Sequence, residues 1–320
     1  MVSRHEIEMA YRLIMGREVE SEQSIEGHLR HRSVEDMRRS FFSSEEFRTK
    51  VIPGFSTAGR PLTWPPIRVD TDVSDDQLAQ MIERVERNFQ HMGETEPYWS
   101  VITADRFRVA NIQTSEAEFF NSGQGVVNDF ILAAERSGLA LADCPTCFEL
   151  GCGLGRSTIW LAEHFEHVIG TDISRSHLEI AAQALERFGK KDKVELLHIA
   201  SISQIAELPD FDAFFSIIVL QHNPPPLIKF LLRVIFSKLR PGGLAYFQVP
   251  TYALGYSFDV NEYLVTEVKL GSPEMHVLPQ SQLFKLVAEC GCALLEIRED
   301  GAPGGAQFIS NRLLVQKRPS

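Results

Sequence analysis

The sequence predicts an α/β protein, a parallel sheet with helices on both faces, behind a small helical module. Three observations carry this. From Cys147 onward, short apolar runs alternate with amphipathic stretches at the spacing of strands and crossover helices. A glycine-rich turn, "GCGLG" (151–155), follows the first of those runs. Upstream, residues 3–50 and 74–93 show helical apolar spacing instead. With 320 residues, 44% of them hydrophobic, the chain is long enough for a full α/β domain and one smaller module.

Within the module (1–50), "IEMAYRLIMGRE" puts Ile7, Ala10, Tyr11 and Ile14 on one helical face, and Gly16 reads as a C-cap. Ser33 caps a second helical unit, "SVEDMRRSFFSSEEFRTK". Residues 51–96 read as linker and helix. The stretch 51–72 is broken by Pro53, Pro61, Pro65 and Pro66, then Ser74 opens an amphipathic helix that Gly93 closes. Residues 97–143 form a cap containing "EPYWSVIT" and "EAEFFNSGQGVVNDFILAAERSG".

The strands follow in order: "CFELG", "HVIGTDI", "VELLHIA", "FDAFFSIIVL" and "GGLAYFQVP". The intervening helices are "STIWLAEHF", "SHLEIAAQALERFG" and "PLIKFLLRVIFSKLR". An insertion (250–280) precedes "SQLFKLVAECG", "ALLEIRED" and "RLLVQKR". Ligands of such sheets sit at the carboxyl ends of the strands.

Composition narrows the function. A formal net charge of −11 argues against a nucleic-acid partner, and the one basic cluster (28–40) is interleaved with acids. No apolar run is long enough to span a membrane, and the polar start carries no secretory h-region, so a cytoplasmic location is expected. Five cysteines, an odd number, suit free thiols. "CPTC" (144–147) runs straight into a strand rather than opening a helix, so neither a redox motif nor a metal site is expected.

The glycine turn reads "FELGCGLGRS" (148–157), G-x-G-x-G rather than the G-x-G-x-x-G of dinucleotide enzymes. Glu149 lies two residues before Gly151. A carboxylate there would repel a docking pyrophosphate but suit a ligand with an amino group and a sulfonium, S-adenosylmethionine. Asp172 ends the second strand, the place for an acid that accepts ribose hydroxyls.

With "LRPGG" before strand five, these residues make 97–320 resemble a class I S-adenosylmethionine-dependent methyltransferase. The resemblance implies a Rossmann-like, seven-stranded, mostly parallel sheet with an antiparallel last strand. It implies cofactor contacts from Glu149, Gly151, Gly153 and Gly155, with Cys152 as a spacer, from Asp172, and from Ile173 beside adenine. Ser216, Ile217 and Gln221 fall toward the methionine end. Many relatives carry an aspartate after strand three; here "HIASISQ" leaves Ser201 or a backbone carbonyl.

"LQHNPPP" (220–226) invites comparison with the Asn-Pro-Pro-aromatic motif of amino-methylating enzymes. That motif closely follows the "FD" of strand four, whereas Asn223 lies eleven positions past Asp212, and Pro226 replaces the aromatic. Asn223 and the prolines therefore read as a turn presenting Gln221 and His222. His222 and His276 are the candidate bases. Tyr98 and Trp99 of the cap, with Tyr252, Tyr256 and Gln280 at the insertion, are the candidate acceptor contacts.

The N-terminal module resembles one that accompanies bacterial surface-glycan enzymes. That implies a sugar or glycan-precursor acceptor and a protein partner through residues 1–50. Two rivals stand beside O-methylation: an N-methyltransferase on a small metabolite or protein, and a non-catalytic cofactor-binding scaffold.

Overall fold

The computed structural model describes residues 2–47, 64–303 and 307–319. Most of the expected linker, residues 51–63, lies outside them. The chain divides into two compact units, Met1–Pro65 and Pro66–Ser320.

The first unit holds α1 (Arg4–Ala10), a π turn (Tyr11–Met15), α2 (Glu22–His28) and α3 (Val34–Ser43). Its caps follow the sequence. Ser33 Oγ accepts the Asp36 N–H, and Gly16 ends the π turn at φ 69°. Ile7, Ala10 and Tyr11 face inward onto Ile25, Met37 and Phe41.

The second unit is built on seven strands: β1 (Thr146–Leu150), β2 (His167–Asp172), β3 (Val194–His198), β4 (Phe211–Ser216), β5 (Leu239–Ala253), β6 (Cys292–Asp300) and β7 (Phe308–Lys317). Their order across the sheet is β3-β2-β1-β4-β5-β7-β6. β1 to β5 pair in parallel, and β7 runs antiparallel to both its neighbours. This is the Rossmann-like arrangement the sequence implies. The order reverses beside β1, which opens a crevice at the carboxyl ends of β1 and β4.

Helices cover both faces: α4 (Asp75–Thr95), α5 (Pro97–Val101), α6 (Glu116–Arg136), α7 (Thr158–His164), α8 (Arg175–Arg187), α9 (Ile202–Ala206), α10 (Pro225–Lys238), α11 (Val260–Val265) and α12 (Gln280–Glu289). Alternation along β4 divides the core: Phe214 joins Ile82 of α4 and Leu232 of α10, and Phe215 joins Phe130 of α6 and Leu161 of α7.

Two local expectations are corrected. Gly93 does not end its helix, which runs on to Thr95. Gly93 is instead a close-approach site, since a Cβ there would lie 2.6 Å from Ser174 Oγ. The fourth apolar run is strand only to Ser216, because the backbone turns at Ile218, where φ is 62°. In the insertion, Ser257–Phe258 pairs in parallel with Arg68–Val69, tying residues 66–72 to this unit.

Candidate active site

The glycine loop forms because three residues take positive φ, 71° at Gly151, 54° at Gly153 and 82° at Gly155. A Cβ on Gly151 would stand 2.4 Å from Val219 Cγ2, so the loop lies directly against the bend after β4. Asp172 ties the loop to β2. Its Oδ2 accepts the Gly153 N–H at 2.8 Å and its Oδ1 the Ser174 N–H at 2.9 Å. His177 Nδ1 lies 3.4 Å from Oδ1, and its Nε2 is 2.8 Å from Ser100 Oγ. Burial alone would raise the Asp172 pKa, but His177 and the two backbone donors outweigh it and hold the carboxyl below its ordinary value. Oδ1 meets both the Ser174 N–H and His177, whereas Oδ2 meets the Gly153 N–H, so Oδ2 keeps a lone pair for a further hydroxyl donor.

Glu149 is buried at the end of β1, where Thr158 Oγ1 donates to its Oε2 at 2.6 Å. Burial lifts its pKa to about 7, against the Thr158 hydrogen bond and the positive charge of Arg156. Arg156 is itself buried, which lowers it to about 10, and it donates to Ser122 Oγ of α6 at 3.2 Å. The position of α6 follows from Gly123, whose Cβ would meet the Arg156 carbonyl at 2.0 Å.

The glycine loop, Asp172, His177 and Arg156 border a cleft with about 1020 Å³ of empty space, its open mouth included; Glu149 is buried and does not line it. Gly151, Gly153, Asp172, Arg156 and His177 make the polar side. The cleft's apolar lining includes Ile173, Ile199, Ile205, Ile217 and Phe89, surfaces suited to a flat heterocycle. His222 and Asn223 also line it, His222 with its ring 5.8 Å from that of Phe89.

The 3-10 turn Leu220–His222 carries Gln221 and His222. His222 Nδ1 is 2.8 Å from the Glu274 carbonyl, and Gln221 Nε2 is 3.2 Å from His222 Nε2. Burial depresses the His222 pKa to about 4. The Asn223 side-chain amide donates to the Val219 carbonyl at 2.9 Å, and Pro225 starts α10. Gln221 Oε1 accepts from Gln248 Nε2 at 3.0 Å rather than facing the cleft.

The remaining candidates are distributed. Among the cofactor candidates, Ser201 caps α9, Ser216 Oγ donates to the Leu150 carbonyl, and Cys152 is buried behind the loop with its thiol pKa pushed up by burial. Tyr98 donates to Glu116 at 2.7 Å and Trp99 lies under the Arg108 guanidinium; Ser100 and Val101 of the same helix reach the cleft. Tyr256 OH is 2.9 Å from His276 Nδ1, and His276 Nε2 is 3.0 Å from Glu274 Oε2, a polar cluster inside the insertion. Tyr252 pairs with Ile309 across β5 and β7, and Gln280 Nε2 donates to Asn311 Oδ1 at 3.4 Å. Among the described residues, no group of three or more His, Cys, Asp or Glu could hold a metal ion, and no helix is long and apolar enough to cross a membrane.

Sequence reasoning missed Arg156, Thr158, His177, Ser100 and Gln248. Arg156 and Thr158 directly follow the glycine motif, a signal that was available. His177 and Gln248 carry no local mark, because only the packing of α8 and β5 brings them to the site.

Residues 148–243 match the family model of the methyltransferase domain. The match begins on β1 and ends at the turn into the main run of β5, so the matched stretch contains the glycine loop, Asp172, His222 and the bend after β4. Over 112 residues the chain is 35% identical to a trans-aconitate 2-methyltransferase of Azoarcus sp. (strain BH72), covering 34% of this chain and 41% of that protein. The chain therefore spans less than half the length of this curated relative.

The fold is shared with the magnesium protoporphyrin IX methyltransferase of Synechocystis PCC 6803 with bound SAH. The TM-score is 0.53 at 17% identity, over 74% of this chain and 99% of that one. The same enzyme with bound SAM gives 0.50 at 17% identity, over 78% and 100%.

Proposed function

We propose that this chain is an S-adenosylmethionine-dependent methyltransferase acting on an oxygen of a polar small molecule, with a sugar or glycan precursor as the first acceptor class to test. One observation carries the cofactor assignment. Asp172 grips the N–H of Gly153 and still faces the cleft that the glycine loop borders. The residues fit the cofactor: Asp172 for the ribose hydroxyls, Ile173 and Ile199 for adenine, and, at the cationic amino-acid end, Ile217 on the cleft with Glu149 buried at the end of β1. The methyltransferase-domain match and the SAM- and SAH-bound fold relatives support this reading. When bound, the cofactor supplies a methyl group activated by a sulfonium. The protein's part is to align donor and acceptor and exclude water. Calorimetric titration with S-adenosylhomocysteine tests the site: wild type binds, and folded Asp172→Ala does not. Equal binding by the two would sink the assignment.

His222 favours a second reading of the acceptor. Both of its ring nitrogens have partners, and a base whose conjugate acid has a pKa near 4 takes a hydroxyl proton poorly. A carboxylate oxygen is already anionic and needs no base. The similarity to a trans-aconitate 2-methyltransferase supports this reading. Release of S-adenosylhomocysteine with panels of sugars and of carboxylic acids decides between them. A hydroxyl substrate that loses turnover steeply in His222→Ala would restore the histidine as base and remove the carboxylate reading.

A further inference from the structure

We propose that Gln248 is a positioning residue that holds the bend after β4 in its binding-competent shape. It is fully buried on β5, and its side-chain amide is engaged on both ends. Oε1 accepts the Ile218 N–H at 3.0 Å. Nε2 donates to Ser310 Oγ of β7 at 2.7 Å and to Gln221 Oε1 at 3.0 Å. These partners fix which end of the amide is oxygen, because Ile218 needs an acceptor and Gln221 Oε1 needs a donor.

Ile218 is the β-branched residue at φ 62°. That conformation is strained for a side chain with two Cβ substituents, and surrounding structure must maintain it. Here the Gln248 oxygen rewards it, since the Ile218 N–H meets a buried acceptor in this shape. The bend matters because Ile217, Ile218 and Val219 all line the cleft, and Val219 is the residue against which Gly151 packs. The same amide reaches the acceptor side through Gln221, which contacts His222. One side chain in the sheet thus sets both walls without bordering the cleft itself.

The inference rests on the reading that the cleft takes S-adenosylmethionine, and the experiment separates the two. Calorimetry with S-adenosylhomocysteine compares wild type, Gln248→Leu, Ile218→Gly and the double variant. Gln248→Leu, nearly isosteric but unable to hydrogen-bond, is expected to bind about tenfold or more weakly. Ile218 also lines the cleft, so the comparison is made as a cycle: glycine adopts positive φ without strain, and Gln248→Leu should therefore weaken binding less beside Ile218→Gly than beside Ile218. A merely structural role predicts the same loss in both backgrounds. If Gln248→Leu does not fold, Ser310→Ala removes one partner that orients the amide and should weaken binding about threefold or more. Folded Gln248→Leu binding within about twofold of wild type, a Gln248→Leu loss equally large beside Ile218→Gly and beside Ile218, or, where Gln248→Leu does not fold, unchanged binding by Ser310→Ala overturns the proposal. A wild type that binds no S-adenosylhomocysteine overturns the cofactor reading instead.

Discussion

The carboxylate of Asp172 accepts the backbone N–H of Gly153 at 2.8 Å, so the acid at the end of β2 clasps the loop that follows β1. An acid expected at the ribose from its place in the sequence therefore also shapes the glycine turn. Asp172→Asn separates the roles, because an amide offers one acceptor oxygen where two N–H groups wait. It should weaken S-adenosylhomocysteine binding by about tenfold or more and cost about 1–3 kcal/mol in denaturant unfolding. Unaltered stability with lost binding would confine Asp172 to the ligand.

Glu149, buried at the end of β1, is expected to make ligand binding depend on pH. Its folded-state pKa is raised to about 7, so the buried group is neutral below that pH and anionic above it. A cationic ligand stabilises the anion, and its binding therefore releases a proton below pH 7. Affinity for S-adenosylmethionine should rise with pH, by up to about tenfold per unit below about pH 7, then level off. Glu149→Gln should bind more weakly and lose this slope. A slope that persists in the variant would assign the proton to another group.

Gly151 and Gly242 distinguish conformational strain from contact. Both have positive φ, 71° and 83°, but a Cβ at Gly151 meets Val219 while one at Gly242 meets nothing within 4 Å. Each alanine substitution should cost about 1 kcal/mol in backbone strain. Gly151→Ala should in addition lose cofactor binding by more than about tenfold, and Gly242→Ala should keep it. Matching titrations for the two variants would show that the Gly151–Val219 contact has no bearing on the cleft.

Gly123 and Gly125 make the same comparison on α6. Alanine at 125 adds helix propensity in open space and should stabilise the protein by about 0.5–1 kcal/mol. Alanine at 123 collides with the Arg156 carbonyl, a backbone atom that cannot swing aside, and should destabilise by about 1–3 kcal/mol or more. Thermal melts of the two variants should move in opposite directions. Movement in the same direction would remove the close approach of α6 to the glycine loop.

The sequence by itself determined the α/β class, the order of strands and helices, the glycine loop and the acid of β2. Those are local facts: strand alternation, helix periodicity, and glycines where φ must be positive. The turn character of Asn223 was legible too, because its distance from Asp212 and the prolines are written in the chain. Tertiary structure alone decided the rest. Gly93 looked like a helix end and is a packing site against Ser174. The fourth apolar run looked like one long strand and bends at Ile218, because Gln248, thirty positions later, offers the acceptor that rewards the strained backbone. Gln221 reads as a cofactor residue by position, yet its amide is held by Gln248 and His222. A residue's neighbours along the chain set its local conformation. Its partners in a buried polar network come from strands far apart in sequence, and no local pattern records them.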